Sequence, residues 1–94
     1  MKLRWSRSAV RDLNAICDYI AAENLETGER VGERIESAVQ MLGRHPQAGR
    51  AGRVSGTREL VIAGTPYIVV YAVTAKEIHI AAVIHTARKW PDAF

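Results

Sequence analysis

PYIVVYAVTAKEIHIAAVIH, residues 66–85, decides the fold. YIVVYAV, residues 67–73, is apolar on both faces of a period-two pattern, so it reads as a central strand. TAKE, residues 74–77, is a polar turn, and IHIAAVIH, residues 78–85, is a second strand apolar on both faces. Upstream, TRELVI (57–62) reads as a strand that AGTP (63–66) turns into the first. Three strands joined by such short turns form an antiparallel meander.

Working back to the N-terminus, KLRWS alternates, with Leu3 and Trp5 on one side and Lys2 and Arg4 on the other. This pattern predicts a short, half-buried strand. Ser6 or Ser8 offers an N-cap, and the period then changes. Ala9, Leu13, Ile16, Cys17 and Ile20 share a stripe that predicts a helix over about 8–23. Asn24 and Gly28 read as stop signals, and Thr27 as the cap of a second helix. Val31, Ile35, Ala38, Val39 and Leu42 form the stripe of that helix, ended by Gly43 and Pro46. Two helices joined by so short a loop form an antiparallel hairpin. The expected fold is α+β in the order β-α-α-β-β-β: a helical hairpin covering one face of an antiparallel sheet, in a single domain spanning 1–94. Trp5, Cys17, Tyr67 and Tyr71 are expected in the core, with an anchored hydroxyl at Tyr71.

The chain has 94 residues, 48% hydrophobic and 24% charged, the composition of an ordinary globule. No apolar run approaches the roughly 20 residues that span a bilayer. MKLRWSRS lacks the apolar core of a signal peptide, so the cytoplasm is the expected compartment. One cysteine gives neither an internal disulfide nor metal-ligand spacing, and no metal or cofactor is expected. The net charge of +3 is unevenly spread. Residues 1–37 carry six Lys/Arg against seven Asp/Glu, and residues 38–94 carry seven against three. A partner facing the second part should be acidic, either nucleic acid or an acidic protein segment.

The positive charge is densest in GRAGRVSGTRELV, residues 49–61. Arg50, Arg53 and Arg58 present planar donor forks, and Gly49, Gly52 and Gly56 keep the backbone approachable. The strip is expected to be a contact surface for carboxylates or phosphates. Arg88, Lys89 and Trp90 in the tail, TARKWPDAF, are a second basic-aromatic cluster that could engage the same kinds of partner, with Trp90 read either as docking the tail onto the sheet or as contacting that partner.

Three segments together resemble the RelE/ParE superfamily of bacterial toxins, and specifically its ParE-like branch. These are Ala9, Asp12, Leu13, Ile16, Tyr19 and Ile20 at the start, RVSGTREL followed by PYIVVYAV in the middle, and VIHTARKWP at the end. The resemblance implies the toxin of a type II toxin–antitoxin module, a class linked to plasmid stabilisation. It also implies a cognate antitoxin whose toxin-binding part is acidic and folds on binding. A hetero-oligomer with that antitoxin is expected, its acids meeting Arg50, Arg53 and Arg58.

For the ParE-like branch the implied target is DNA gyrase, inhibited without an ordinary active site. For the RelE-like branch it is mRNA on the ribosome, cut by the toxin. Cleavage by a 2′-hydroxyl needs a base, cations for the phosphorane and an acid for the leaving oxygen. The candidate set for that alternative is Arg58, Glu59, His85 and Arg88. Several details weigh against it. Arg58 and Glu59 are neighbours on a strand and point to opposite faces. Ile68 stands where several family nucleases carry an arginine, and the tail lacks their tyrosine. Alternation along the last strand places His85 on the face of His79, Ala81 and Val83. A chain of this fold that has lost toxicity and survives as a binding module is the third reading.

Overall fold

The computed structural model describes residues 1–94. In chain order the elements are β1 (Lys2–Trp5), α1 (Arg7–Ala21), α2 (Leu25–Leu42), β2 (Arg50–Ala51), β3 (Arg58–Val61), β4 (Tyr67–Val73) and β5 (Glu77–His85). One five-stranded sheet runs β1-β5-β4-β3-β2. The apolar run 67–73 is the middle strand, as its two-faced pattern requires, and Ile68–Tyr71 are all buried.

The meander is antiparallel, with Leu60 opposite Val69 and Val69 opposite Val83. The sheet as a whole is mixed, because β1 joins the outer edge of β5 in parallel, Leu3 beside Ile78 and Trp5 beside Ile80. Alternation in residues 2–5 reveals a strand but carries no information about its neighbour or direction. A second addition lies in the basic loop, where Arg50 and Ala51 pair with Glu59 and Arg58.

Each face of β4 and β5 has its own cover. On one face Tyr67, Val69, Tyr71, Ile78, Ile80 and Val83 pack with Ala9 and Leu13 of α1 and Ile35, Val39 and Leu42 of α2. On the other, Val70, Ala82 and Ile84 lie under Trp90 of the tail. A β-bulge divides β5: Tyr71 pairs with Ile80 and Val70 with Ala82, leaving Ala81 without a partner. The extra residue reverses the alternation. Val83 and His85 therefore share the helix-covered face with Ile78 and Ile80, and His79 lies on the opposite one. The expectation that His79 and His85 share a face fails for this reason.

Where β1 ends, side chains close the open edge of β5. The Ser6 hydroxyl donates to the bulge carbonyl of Ala81 (3.0 Å) while accepting the Ala9 amide as the α1 N-cap (2.9 Å). The Val83 amide donates to Asp12 Oδ2 at 3.0 Å. These contacts satisfy backbone groups that would otherwise invite another strand.

Asn24, not Thr27, caps α2, its Oδ1 accepting the Thr27 amide at 3.0 Å. Gly28 accordingly lies inside the helix rather than before it. A Cβ at Gly28 would lie 2.9 Å from the Cys17 carbonyl oxygen and 3.0 Å from the Ala21 nitrogen, and one at Gly32 would lie 2.9 Å from Cys17 Sγ. Gly28 lets the helices approach to backbone contact, and Gly32 makes room for the Cys17 side chain. Burial raises the pKa of the half-buried Cys17 thiol, and Asp18 and Glu36 add to the shift.

Alanine is the better helix former, yet Gly28→Ala should destabilise the protein, because the added methyl meets main chain that does not yield. A loss of about 1–3 kcal/mol is expected, read in thermal unfolding as a Tm lower by roughly 5–15 °C. An unchanged or raised Tm would mean that the helices are not in contact at this glycine.

Candidate functional site

The basic strip closes around an acid of the chain itself. Glu59, only 3% exposed, is the single Asp or Glu between Glu36 and Glu77. Its place on β3 turns it to the tail-covered face, opposite Val70. Arg50 donates to Oε1 from Nη2 (3.1 Å) and Nε (3.4 Å). Arg53 donates to Oε2 from its backbone amide (2.8 Å) and its Nε (3.2 Å). Burial pushes the carboxyl pKa up, but these bonds and the Arg53 charge outweigh it and hold the group below its ordinary value.

The two arginine side chains remain about half exposed. On Arg53 the Glu59 contact uses Nε alone, which leaves both Nη groups free. The Arg53 guanidinium carbon lies 3.6 Å from the centroid of the Trp90 ring, within cation–π range. Trp90 thus touches both Arg53 and the apolar patch of Val70, Ala82 and Ile84. Phe94 meets Trp90 edge-on, with centroids 6.5 Å apart.

Arg58 turns away from this cluster and donates from Nη1 to the Gly49 carbonyl at 2.8 Å. The buried Tyr71 hydroxyl fixes the same loop, accepting the Gly49 amide and donating to the Pro46 carbonyl, both at 2.8 Å. A Cβ at Gly49 would lie 2.7 Å from that hydroxyl, so the loop requires glycine there. Tyr71 is therefore both core and anchor, as expected from its sequence position.

His85 lies on the helix-covered face, its ring edge-on to Tyr67 with centroids 5.4 Å apart. Its Nδ1 accepts the Ala87 amide at 3.0 Å. In the neutral ring this places the proton on Nε2, which then donates rather than accepts. Arg88 and Lys89 are exposed in the tail. Ile68 is buried in β4. The structure therefore brings Arg50, Arg53, Glu59 and Trp90 into one cluster. Arg58 lies at its back, and His85 lies across the sheet.

In the sequence Glu59 stands out only as a possible base. Its isolation among three arginines was the available sign that it organises them. Nothing in the sequence linked the tail to the strip, since Arg53 and Trp90 are far apart in the chain.

Comparison with known proteins places this architecture. A model of the ParE toxin of the type II toxin–antitoxin system parDE matches residues 3–90. Y4kP of Sinorhizobium fredii, a putative toxin by its name, is 39% identical over 91 residues, covering 97% of this chain and 94% of that one. The toxin RelE2 of Caulobacter vibrioides is 34% identical over 84 residues, covering 89% and 93%. A solved chain of the chromosomal ParDE system of P. aeruginosa superposes with a TM-score of 0.81 at 32% identity, covering 90% and 95%.

The Glu59 cluster carries its own pH dependence. A carboxyl whose pKa is depressed by folding adds stability above its ordinary value and loses it as pH falls through the lower folded value. Glu59→Gln should cost about 1–3 kcal/mol near neutral pH, toward the low end because both arginines are half exposed. In urea unfolding the gap from the wild type should narrow below about pH 4.3. A gap independent of pH would assign the loss to packing.

Proposed function

The chain belongs to the ParE toxin family of type II toxin–antitoxin systems, and on that premise we propose that, once free of its antitoxin, it stops growth by poisoning DNA gyrase. The observation that carries this reading is the separation of the groups that RNA cleavage would need. Both Glu59 oxygens are engaged by Arg50 and Arg53 on one face of the sheet. His85, with Nδ1 occupied, lies on the other. Arg58 is spent on the Gly49 carbonyl. No base and acid flank a common point where a scissile phosphate could sit. What remains accessible is a binding surface, and a toxin that traps another enzyme on DNA requires only that.

Cleavage of mRNA on the ribosome is the second reading. It rests on the name of the RelE2 relative and on the Trp90–Arg53 stack, a platform of the kind on which a base can lie.

The parDE family implies a cognate antitoxin, and we assign its acidic residues to Arg50 and Arg53, with Lys89 and Trp90 at the rim and Arg58 holding the loop from behind. Glu59 engages Nε and Nη2 of Arg50 and Nε of Arg53 and leaves their other N–H groups without a partner, so the forks are already oriented before a second carboxylate arrives.

Expression without antitoxin should produce gyrase-trapped breaks in plasmid DNA and leave mRNA ends unchanged. Toxicity should survive His85→Ala. Cuts within codons without DNA breaks, or toxicity lost on His85→Ala with folding intact, would transfer the assignment to the nuclease. For the strip, Arg50→Gln retains Arg53 on Glu59 and should weaken antitoxin binding several-fold at about 50 mM salt, with a smaller effect at about 300 mM. Equal affinity at low salt would remove Arg50 from the interface.

A further inference from the structure

The tail meets the arginine strip where Trp90 lies over Arg53. Arg53 sits in the loop between β2 and β3 and is held by Glu59 twice, through its backbone amide and through Nε. The indole covers one side of its guanidinium, with 3.6 Å between the guanidinium carbon and the ring centroid. Both Nη groups are without a partner. Arg50 engages Glu59 with Nε and Nη2 and keeps only Nη1. Of the two arginines on Glu59, Arg53 alone therefore retains the pair of Nη groups that takes a carboxylate end-on through two parallel bonds.

The same contact matters to the tail. Residues 89–94 make no backbone hydrogen bond, and Trp90 Nε1 is buried without an acceptor. Val70, Ala82 and Ile84 give the ring an apolar bed, and apolar burial is non-directional. The directional contacts of the ring are those with the guanidinium and with Phe94, which belongs to the tail itself. Arg53 thus fixes where the indole sits on the sheet, as the indole fixes how the guanidinium is turned.

We infer that Trp90 is a positioning residue for Arg53: it holds the guanidinium ready to take an antitoxin carboxylate on its two Nη groups, and that carboxylate in turn locks the tail onto the sheet. The inference rests on the assignment of antitoxin acids to Arg50 and Arg53 and adds the residue through which the tail takes part. A surface arginine loses rotamer freedom when it binds, and the loss weakens the complex. With Nε on Glu59 and one side against the indole, Arg53 has given up most of that freedom in advance. The ring also keeps water from that side, and a drier guanidinium attracts a carboxylate more strongly. Coupled binding free energies are reciprocal, so the bound carboxylate strengthens tail docking by the factor that the docked tail lends to it.

The test is a double-mutant cycle, read by calorimetric titration of the full toxin with the antitoxin encoded beside it at about 50 mM salt. Trp90→Leu keeps an apolar side chain over the patch and removes the aromatic face; it should raise Kd about three- to tenfold. Trp90→Phe restores a ring and should return Kd to within about twofold of the wild type. Arg53→Gln should itself weaken binding, and adding Trp90→Leu to it should change Kd by less than about twofold. Arg50 and the backbone amide remain on Glu59 in that background, and melting temperatures of the free variants check that the fold persists. Exchange of the Trp90 indole N–H with water, followed by proton NMR with Trp5 as the internal reference, should slow on antitoxin binding by a factor close to the Kd change of Trp90→Leu. Weaker binding by Arg53→Gln with Trp90→Leu unaffected would overturn the positioning role and leave the strip as the interface. An equal Trp90→Leu effect with and without Arg53 would make Trp90 a direct contact instead. Faster indole exchange in the complex would mean that the antitoxin displaces the tail, the opposite coupling. Affinity unchanged by Arg53→Gln would overturn both this inference and the assignment beneath it.

Discussion

A strand with two apolar faces cannot stand at a protein surface. Ile68–Tyr71 are all buried, and that requires a layer on each side of β4. The helix hairpin supplies one, and the tail, through Trp90, supplies the other. Most of the remaining architecture serves to deliver these two layers. The glycines of α2 let the hairpin close on itself so that both helices reach the sheet. The Ala81 bulge and Asp12 end the pairing of β5 where β1 departs, so that α1 can lie against the strand.

The two layers differ in how they are held. The helical one interdigitates through many buried side chains. The tail layer depends on one indole, in contact with an aliphatic patch and with a guanidinium that is itself tethered to a buried carboxylate. Glu59 is the fixed point of this chain of contacts. A carboxylate taken so far out of water is tolerated only when its oxygens are well engaged, and two arginines with one backbone amide achieve that. The arrangement also orients Arg50 and Arg53 without exhausting their donors. Structure and recognition therefore use the same residues.

Much of the fold was legible because burial writes a period into the sequence. Residues 67–73 and 78–85 announced a two-faced hairpin, and the stripes of Leu13 and Ile35 announced two helices. What escaped depended on relations between distant residues. The direction of β1 depends on a partner more than seventy residues away. The bulge at Ala81 is one alanine beside another, with nothing in its chemistry to mark the irregularity, and it overturned the facing of His85. Gly28 looked like a stop because a glycine that ends a helix and one that lets two helices touch are the same residue. Arg50, Arg53 and Trp90 were identified as basic and aromatic contact residues, but the strip's acid was read as an isolated candidate base and not as the partner that gathers them.

Beyond Arg88, no backbone hydrogen bond ties residues 89–94 to the rest of the chain, and the buried Trp90 Nε1 has no acceptor. The tail therefore behaves as a ligand on a leash. Whatever intrinsic affinity the Trp90 contacts give is multiplied by the effective concentration that a short linker imposes, of roughly millimolar order. Any molecule reaching for Val70, Ala82 and Ile84 competes with an occupant that never diffuses away, and its apparent affinity is lowered accordingly. Changes in the tail can thus retune access to that patch without altering a residue within it.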